Sequence, residues 1–234
     1  MKKIILIAVI LCCVGVVKAQ RIVEETATVA KNQGVFVNFK FAGEIKVKQW
    51  RQNEIKVTAT VNIDDGEGNE FFSLKMQELG NELKMYSDFG KYFQNKNKNR
   101  SQNGDCNYTT EINYVVYVPE NVSLKVKSIS GSVAIESFTG KLTTNLISGD
   151  VIIKKYTGEL FLKTISGDLD VTITKAIVNA KTLTGTVYSN LEIKMKENKK
   201  HVAGHIKIKG IVNNGDKYVK METISGNVYM RKKS

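Results

Sequence analysis

Asp150 and Asp168 stand 18 residues apart, each directly after a glycine. If the chain between them closes one coil, their carboxylates stack about 5 Å apart and repel by about 1 kcal/mol in water. A bridging cation would relieve that repulsion, but aspartate after glycine is also an ordinary turn former. The favoured reading is a solvated pair with no metal assigned. The same place after successive glycines holds Ser132, Asp150, Asp168, Thr186, His205 and Asn227, a polar ladder. Calcium-binding nonapeptide repeats need a GGxGxD run, which is missing. The acidic stretch Asp64-Asp65-Gly66-Glu67-Gly68-Asn69 lacks the ligand spacing and closing Glu of an EF-hand, so it reads as a solvated turn. His201 and His205 have the spacing of a helical zinc pair but flank Gly204 in a strand-and-turn pattern, and no Glu follows His201. Asp168 and Asp170 share a strand face, yet no further acid joins them to build a glycosidase pair. There is no G-x-S-x-G elbow and no phosphate-binding glycine motif. Trp50, Phe138 and Tyr156 align as one aromatic row, which core stacking explains. The sequence therefore assigns no catalytic, cofactor-binding or metal residue, and leaves the ligand-binding residues unknown.

The elements carrying these residues repeat. Ile129-Ser130-Gly131 recurs as Ile147-Ser148-Gly149, as Ile165-Ser166-Gly167, and as Leu183-Thr184-Gly185. Thr139-Gly140 and Thr157-Gly158 mark a second turn halfway between. Two turns and two short alternating runs per repeat predict an all-β, single-stranded, right-handed β-solenoid of about 18-residue coils. Two residues after each turn glycine come Val133, Val151, Leu169, Val187, Ile206 and Val228, expected as one buried stripe. Ile129, Ile147, Ile165, Leu183, Val202 and Ile224, two before each glycine, are expected inside as well. On the other half-coil, Leu142, Leu160 and Val178 form one row, and Thr144, Leu162 and Ala180 another. Arg231-Lys232-Lys233 would then protect the open edge of a terminal strand.

Gly43, Ile45, Val47 and Trp50 match the template of Gly149, Val151, Ile153 and Tyr156. An early coil is therefore expected in line with the later ones. Residues 20–120 read as N-terminal β coils with hairpin excursions and a mobile, Asn-rich basic loop at 88–108. Residues 121–234 read as regular coils continuous with them.

Lys2 and Lys3, the apolar run Ile4 to Val17, and Val17-Lys18-Ala19 make a secretory signal peptide over 1–19, with cleavage near Ala19. Ile10 and Leu11 before Cys12 argue against lipidation. The chain that remains has 215 residues and a formal charge of +9, with no further apolar run long enough to span a membrane. Its one cysteine, Cys106, has no internal disulfide partner. The lysines alternate with apolar residues, as in Leu124-Lys125-Val126-Lys127 and Ile206-Lys207-Ile208-Lys209. They read as the wet face of a sheet.

The run YVVYVPENVSLKVKSISGSV, followed by the repeated TISGD and YTGEL turns, resembles the putative adhesin family of bacterial cell-envelope proteins, a domain of unknown function. The upstream GEIKVKQW, NEIKVTATV and NELKMYS segments resemble that family's N-terminal part. The auto-transporter adhesin head domain is similar. The resemblance implies a β-solenoid outside the cytoplasm and carries over no site residue.

The expected protein is exported and non-enzymatic, placed in the periplasm, on the cell surface or secreted. Its expected partner is a protein or glycan at the surface or in the envelope, with no nucleic acid and no cofactor. The alternative is a carbohydrate-active β-helix enzyme, which would need converging acids in a groove.

Overall fold

Residues that alternate between apolar and polar split this chain into two layers. The computed structural model describes residues 20–99, 108–195 and 206–233. In chain order the elements are β1 (Arg21–Thr28), β2 (Gly34–Phe39), β3 (Glu44–Trp50), β4 (Glu54–Ile63), β5 (Ser73–Leu79), β6 (Glu82–Asp88), α1 (Tyr92–Asn99) and β7 (Thr110–Pro119). Then come β8 (Leu124–Ser128), β9 (Ser132–Ile135), β10 (Phe138–Ser148), β11 (Val151–Ile153), β12 (Tyr156–Ser166), β13 (Leu169–Ile173) and β14 (Ala176–Thr182). The last are β15 (Val187–Ser189), β16 (Ile193–Met195), β17 (Ile206–Val212), β18 (Tyr218–Thr223) and β19 (Val228–Lys232).

Sheet I runs β1-β4-β7-β3-β9-β11-β13-β19-β15, and sheet II runs β16-β17-β14-β18-β12-β10-β8-β2-β6-β5. From β8 to β15 the chain alternates between the sheets, and neighbouring strands there pair in parallel. The result is all-β with two largely parallel sheets, consistent with a solenoid-like fold. Inward side chains of both sheets meet in one core that runs from Ile55 and Leu74 at one end to Val212 and Val228 at the other. Three threonine hydroxyls in this core are bonded to backbone: Thr164, Thr223 and Thr182 donate to the carbonyls of Gly149, Gly167 and Gly226.

The early template is built into the same sheet as the later turns. β3 pairs in parallel with β9, which sets Ile45 beside Val133 and Val47 beside Ile135. Glycine at the corners is required by crowding. At Gly149, φ is +135°, and a Cβ would lie 2.2 Å from the carbonyl oxygen of Gly131 in the neighbouring coil.

Several expectations are corrected. The last two strands of the chain, one in each sheet, do not stack at the end. β18 inserts between β12 and β14, and β19 between β13 and β15. The inner row thus reads Val133, Val151, Leu169, Val228, Val187. Every coil offers the same parallel edge, so the repeat alone does not fix the order of stacking. Arg231 and Lys232 accordingly lie on an internal strand rather than an open edge. Ile206 leaves the row: it sits in β17, antiparallel to β14 in sheet II, and is exposed. Val202 lies outside the described residues. Ile129, Ile147, Ile165, Ile224 and Leu183 face outward, because inward positions in these strands are set by Leu142, Thr144 and Leu146, and parity restarts at the corner. Residues 92–99 form a helix where a loop was expected. Its aromatic start packs on the core, with Phe93 edge-on to Phe41 at 5.4 Å and Tyr92 buried.

Candidate polyanion-binding face

The ladder after the turn glycines exists, in the order Ser132, Asp150, Asp168, Asn227, Thr186. Each of the first four accepts the next one's backbone N–H: Asp150 N–H to Ser132 Oγ at 3.1 Å, Asp168 N–H to Asp150 Oδ1 at 2.8 Å, Asn227 N–H to Asp168 Oδ1 at 2.6 Å, and Thr186 N–H to Asn227 Oδ1 at 3.0 Å. The aspartates are thus bonded turn formers. Asp170 is held by Arg231 at 2.7 and 2.8 Å, so it makes no carboxylate pair with Asp168. Phe138 and Tyr156 are in register. Trp50 is not with them: it lies in sheet I, tilted on Tyr117, and donates its indole N–H to the Glu54 carbonyl at 2.7 Å. His201, His205 and Cys106 fall outside the described residues, as do residues 1–19 and positions 100–107 of the expected loop.

The acidic turn at Asp64 is not simply solvated. The Asp64 carboxylate is 8% exposed and accepts from Lys96 and the Tyr92 hydroxyl of α1, and from the Thr109 N–H at 2.7 Å. Burial alone would raise its pKa, but these donors outweigh it and hold it below the usual carboxylate value. Burial and the bond to Asp64 push Tyr92 upward. This turn is therefore the anchor of α1.

What the structure does gather is positive charge. The strands of sheet II carry eleven lysines against five acids, whereas those of sheet I carry six basic and six acidic residues. In sheet II alternation sends nearly all of these charges to one outer face. One row across neighbouring strands reads Lys84, Phe36, Lys125, Thr143, Phe161, Lys220, Asn179, Lys209. The next reads Tyr86, Asn38, Lys127, Asn145, Lys163, Glu222, Lys181, Lys207. Eight strands at about 4.8 Å make each row about 34 Å long. Lysines sit over the aromatic rings between them: Lys84 Nζ is 4.7 Å from the Tyr86 centroid, Lys125 Nζ is 5.1 Å from Phe36, and Lys141 Nζ is 5.1 Å from Phe161. Lys125 pairs with Glu82 and Lys220 with Glu222, both at 3.0 Å. Lys127, Lys163, Lys181, Lys207 and Lys209 have no ion-pair partner among the described residues. Lys181 and Lys207 even oppose one another across an antiparallel pair, which costs stability.

At the corner where β12 begins, the surface opens into a cavity of about 450 Å³. Lys154, Lys155, Lys175, Lys217 and Lys233 line it, with Asp216 the acid among its lining residues. Tyr156 also lines it, and burial pushes that phenol's pKa upward.

The lysine parity was visible in sequence, but the gathering was not. Phe36, Tyr86 and Phe161 lie far apart in the chain and reach the lysines only through strand pairing. The one usable signal was the shared parity of Lys125 with Lys127 and of Lys207 with Lys209.

An all-β protein of two largely parallel sheets with one basic outer face is the class these features define. Residues 119–231 match the family model described as Toastrack DUF4097, and this part of the chain is a toastrack domain. The chain is similar in fold to a putative cell adhesion protein from Clostridium sporogenes ATCC 15579, with a TM-score of 0.59 and 12% identity over 92% of this chain and 100% of that one. A putative adhesin from Bacteroides fragilis NCTC 9343 aligns over 92% of this chain and 98% of that one at 11% identity, with a TM-score of 0.33. No curated protein matches the chain. The resemblance to the putative adhesin family drawn from the sequence holds.

Proposed function

We propose that this chain is an exported, non-enzymatic interaction module that holds a negatively charged partner at the cell surface or in the envelope against the lysine rows of sheet II. The observation that carries the reading is the two registered rows, which hold eight lysines and one acid on a single face. A face of one sign raises the local concentration of opposite charge and steers its approach. Lys181 and Lys207, directly opposed across two strands, cost fold stability, which a binding surface explains and a merely wet face does not. The lysine-lined cavity at its edge suits a single phosphate or carboxylate of such a partner. Export rests on the basic and apolar start of the sequence. The regular region is read as right-handed coils of about 18 residues, with 20–120 and 121–234 sharing one solenoid.

Retention on immobilised dextran sulfate tests the reading. The triple change Lys127→Gln, Lys163→Gln and Lys181→Gln is expected to weaken retention at least about tenfold, since each lost contact also lowers the salt dependence. Lys46→Gln with Lys48→Gln on sheet I is expected to leave it unchanged. Equal loss from both sets would overturn the assignment of the face.

A further inference from the structure

Beside the lysine rows, on the same outer face, runs a third row of another kind. Ile147 and Ile165 near the ends of β10 and β12, and Ile129, Ile224 and Leu183 one residue past β8, β18 and β14, take the next outward position, just where the chain turns toward sheet I. Their exposures are 41%, 47%, 42%, 43% and 48%. They are neighbours in space. Ser148 N–H donates to the Ile129 carbonyl at 2.9 Å, Ser225 N–H to Ile165 at 2.8 Å, and Thr184 N–H to Ile224 at 3.0 Å. Four steps of about 4.8 Å make a straight aliphatic ridge about 19 Å long. Single exposed isoleucines need no explanation, but five in one contiguous line mark a contact surface.

We infer that this edge of the molecule docks on an anionic lipid bilayer, with the ridge entering the headgroup boundary and the adjacent lysines meeting lipid phosphates. The inference rests on the reading of the sheet II face as a polyanion-binding surface, and names its partner. A soluble acidic glycan would use the lysines but has nothing to offer an exposed aliphatic row. A bilayer interface supplies both at once, acyl chain beneath and negative charge above. The order along each strand fits this. Moving toward the corner, Lys125 and Lys127 are followed by Ile129, and Lys163 by Ile165. Lys40, exposed, accepts the Ile129 N–H on its carbonyl at 3.2 Å and adds a charge at the ridge's end. Asp150 and Asp168 lie on the far side of the same turn, directly before β11 and β13. They disfavour headgroups on that side, so contact is tilted toward the lysines.

The test is flotation of the chain with vesicles of phosphatidylcholine alone and of phosphatidylcholine mixed with phosphatidylglycerol, alongside dextran sulfate retention. Parent and variants are the processed chain beginning at Gln20, so the apolar run at residues 4–17 adds no flotation of its own. The parent is expected to float with the mixed vesicles and not with phosphatidylcholine alone. The ridge variant Ile147→Ser with Ile165→Ser is expected to lose at least about tenfold in vesicle affinity while keeping its melting temperature and its dextran sulfate retention. Ile224→Ser alone is expected to give a smaller loss in the same direction. Ridge variants that float like the parent would overturn the inference, as would equal flotation with neutral vesicles. Retention on dextran sulfate with no flotation would leave the polyanion reading standing and remove the bilayer. Self-association of the parent that the ridge variant abolishes, without flotation, would assign the ridge to a second copy and also overturn it. Loss of both activities in the parent would overturn the two readings together.

Discussion

Ile152 and Ile153 are consecutive, chemically identical, and on opposite sides of sheet I. Ile153 is 1% exposed and stands in register between Ile135 and Val171, whereas Ile152 is 42% exposed between Ala134 and Asp170. Ile153→Asn forfeits about 1.5–3 kcal/mol of apolar burial. It also leaves an amide without partners in the core, at about 1–3 kcal/mol. The sum, about 3–6 kcal/mol, is a large share of the roughly 5–15 kcal/mol that holds a domain together. At about 2–4 °C per kcal/mol for a chain of this size, the melting temperature should fall by about 10–20 °C. Ile152→Asn changes a half-exposed side chain on the wet face and should cost under about 1 kcal/mol, or less than about 4 °C. Thermal unfolding of parent and both variants, followed by circular dichroism in one buffer, reads the difference. Equal shifts for the two would refute the inward and outward assignment on which the lysine face also depends.

Three further outcomes are expected. Gly149→Ala forces a Cβ to within 2.2 Å of the Gly131 carbonyl at a φ of +135°, so it should destabilise by at least about 2 kcal/mol; a melting temperature within error of the parent's would remove close coil contact as the reason for glycine. The Asp64 carboxyl titrates below its usual range, so its contribution is present at neutral pH and is lost as pH falls through that lowered value, below about pH 4. Asp64→Asn should cost about 1.5–3 kcal/mol at pH 7 and flatten the acid limb of stability, with Asp88, held low by Lys75, and Glu24, held low by Thr58 and Lys56, contributing to what remains; an unchanged limb would refute α1 anchoring. A fragment beginning at Asn121 loses β2 and β3, which cover β8 and β9, and should aggregate through bare Leu124 and Val133; a monomer with a cooperative melt would show two independent domains instead.

The repeat was legible because each coil needs the same things in the same places: glycine where backbones touch, apolar residues two and four places on. That pattern could not order the coils. β18 and β19 insert into the stack because the edge left by β12 and β13 looks the same to any coil. Nor did it foresee the exposed ridge. Counting back from Gly149 put Ile147 inside, but Ile147 belongs to β10, whose inward parity is set by Leu142 and Leu146. Helix α1 escaped because its turns are Asn and Lys. Its docking depends on Tyr92, Phe93 and a single distant carboxylate, Asp64. The lysines were assigned to solvent correctly as a matter of side. Their meaning required strand pairing, which brings Phe36, Tyr86 and Phe161 among them and segregates charge onto one sheet.

Lysine acetylation footprinting by mass spectrometry, with and without dextran sulfate, tests the central claim most directly. Lys125, Lys127, Lys163, Lys181 and Lys220 of sheet II should be protected by the polyanion, and Lys46 and Lys48 of sheet I should react as before. Protection shared evenly between the two sheets, or confined to sheet I, would contradict the account.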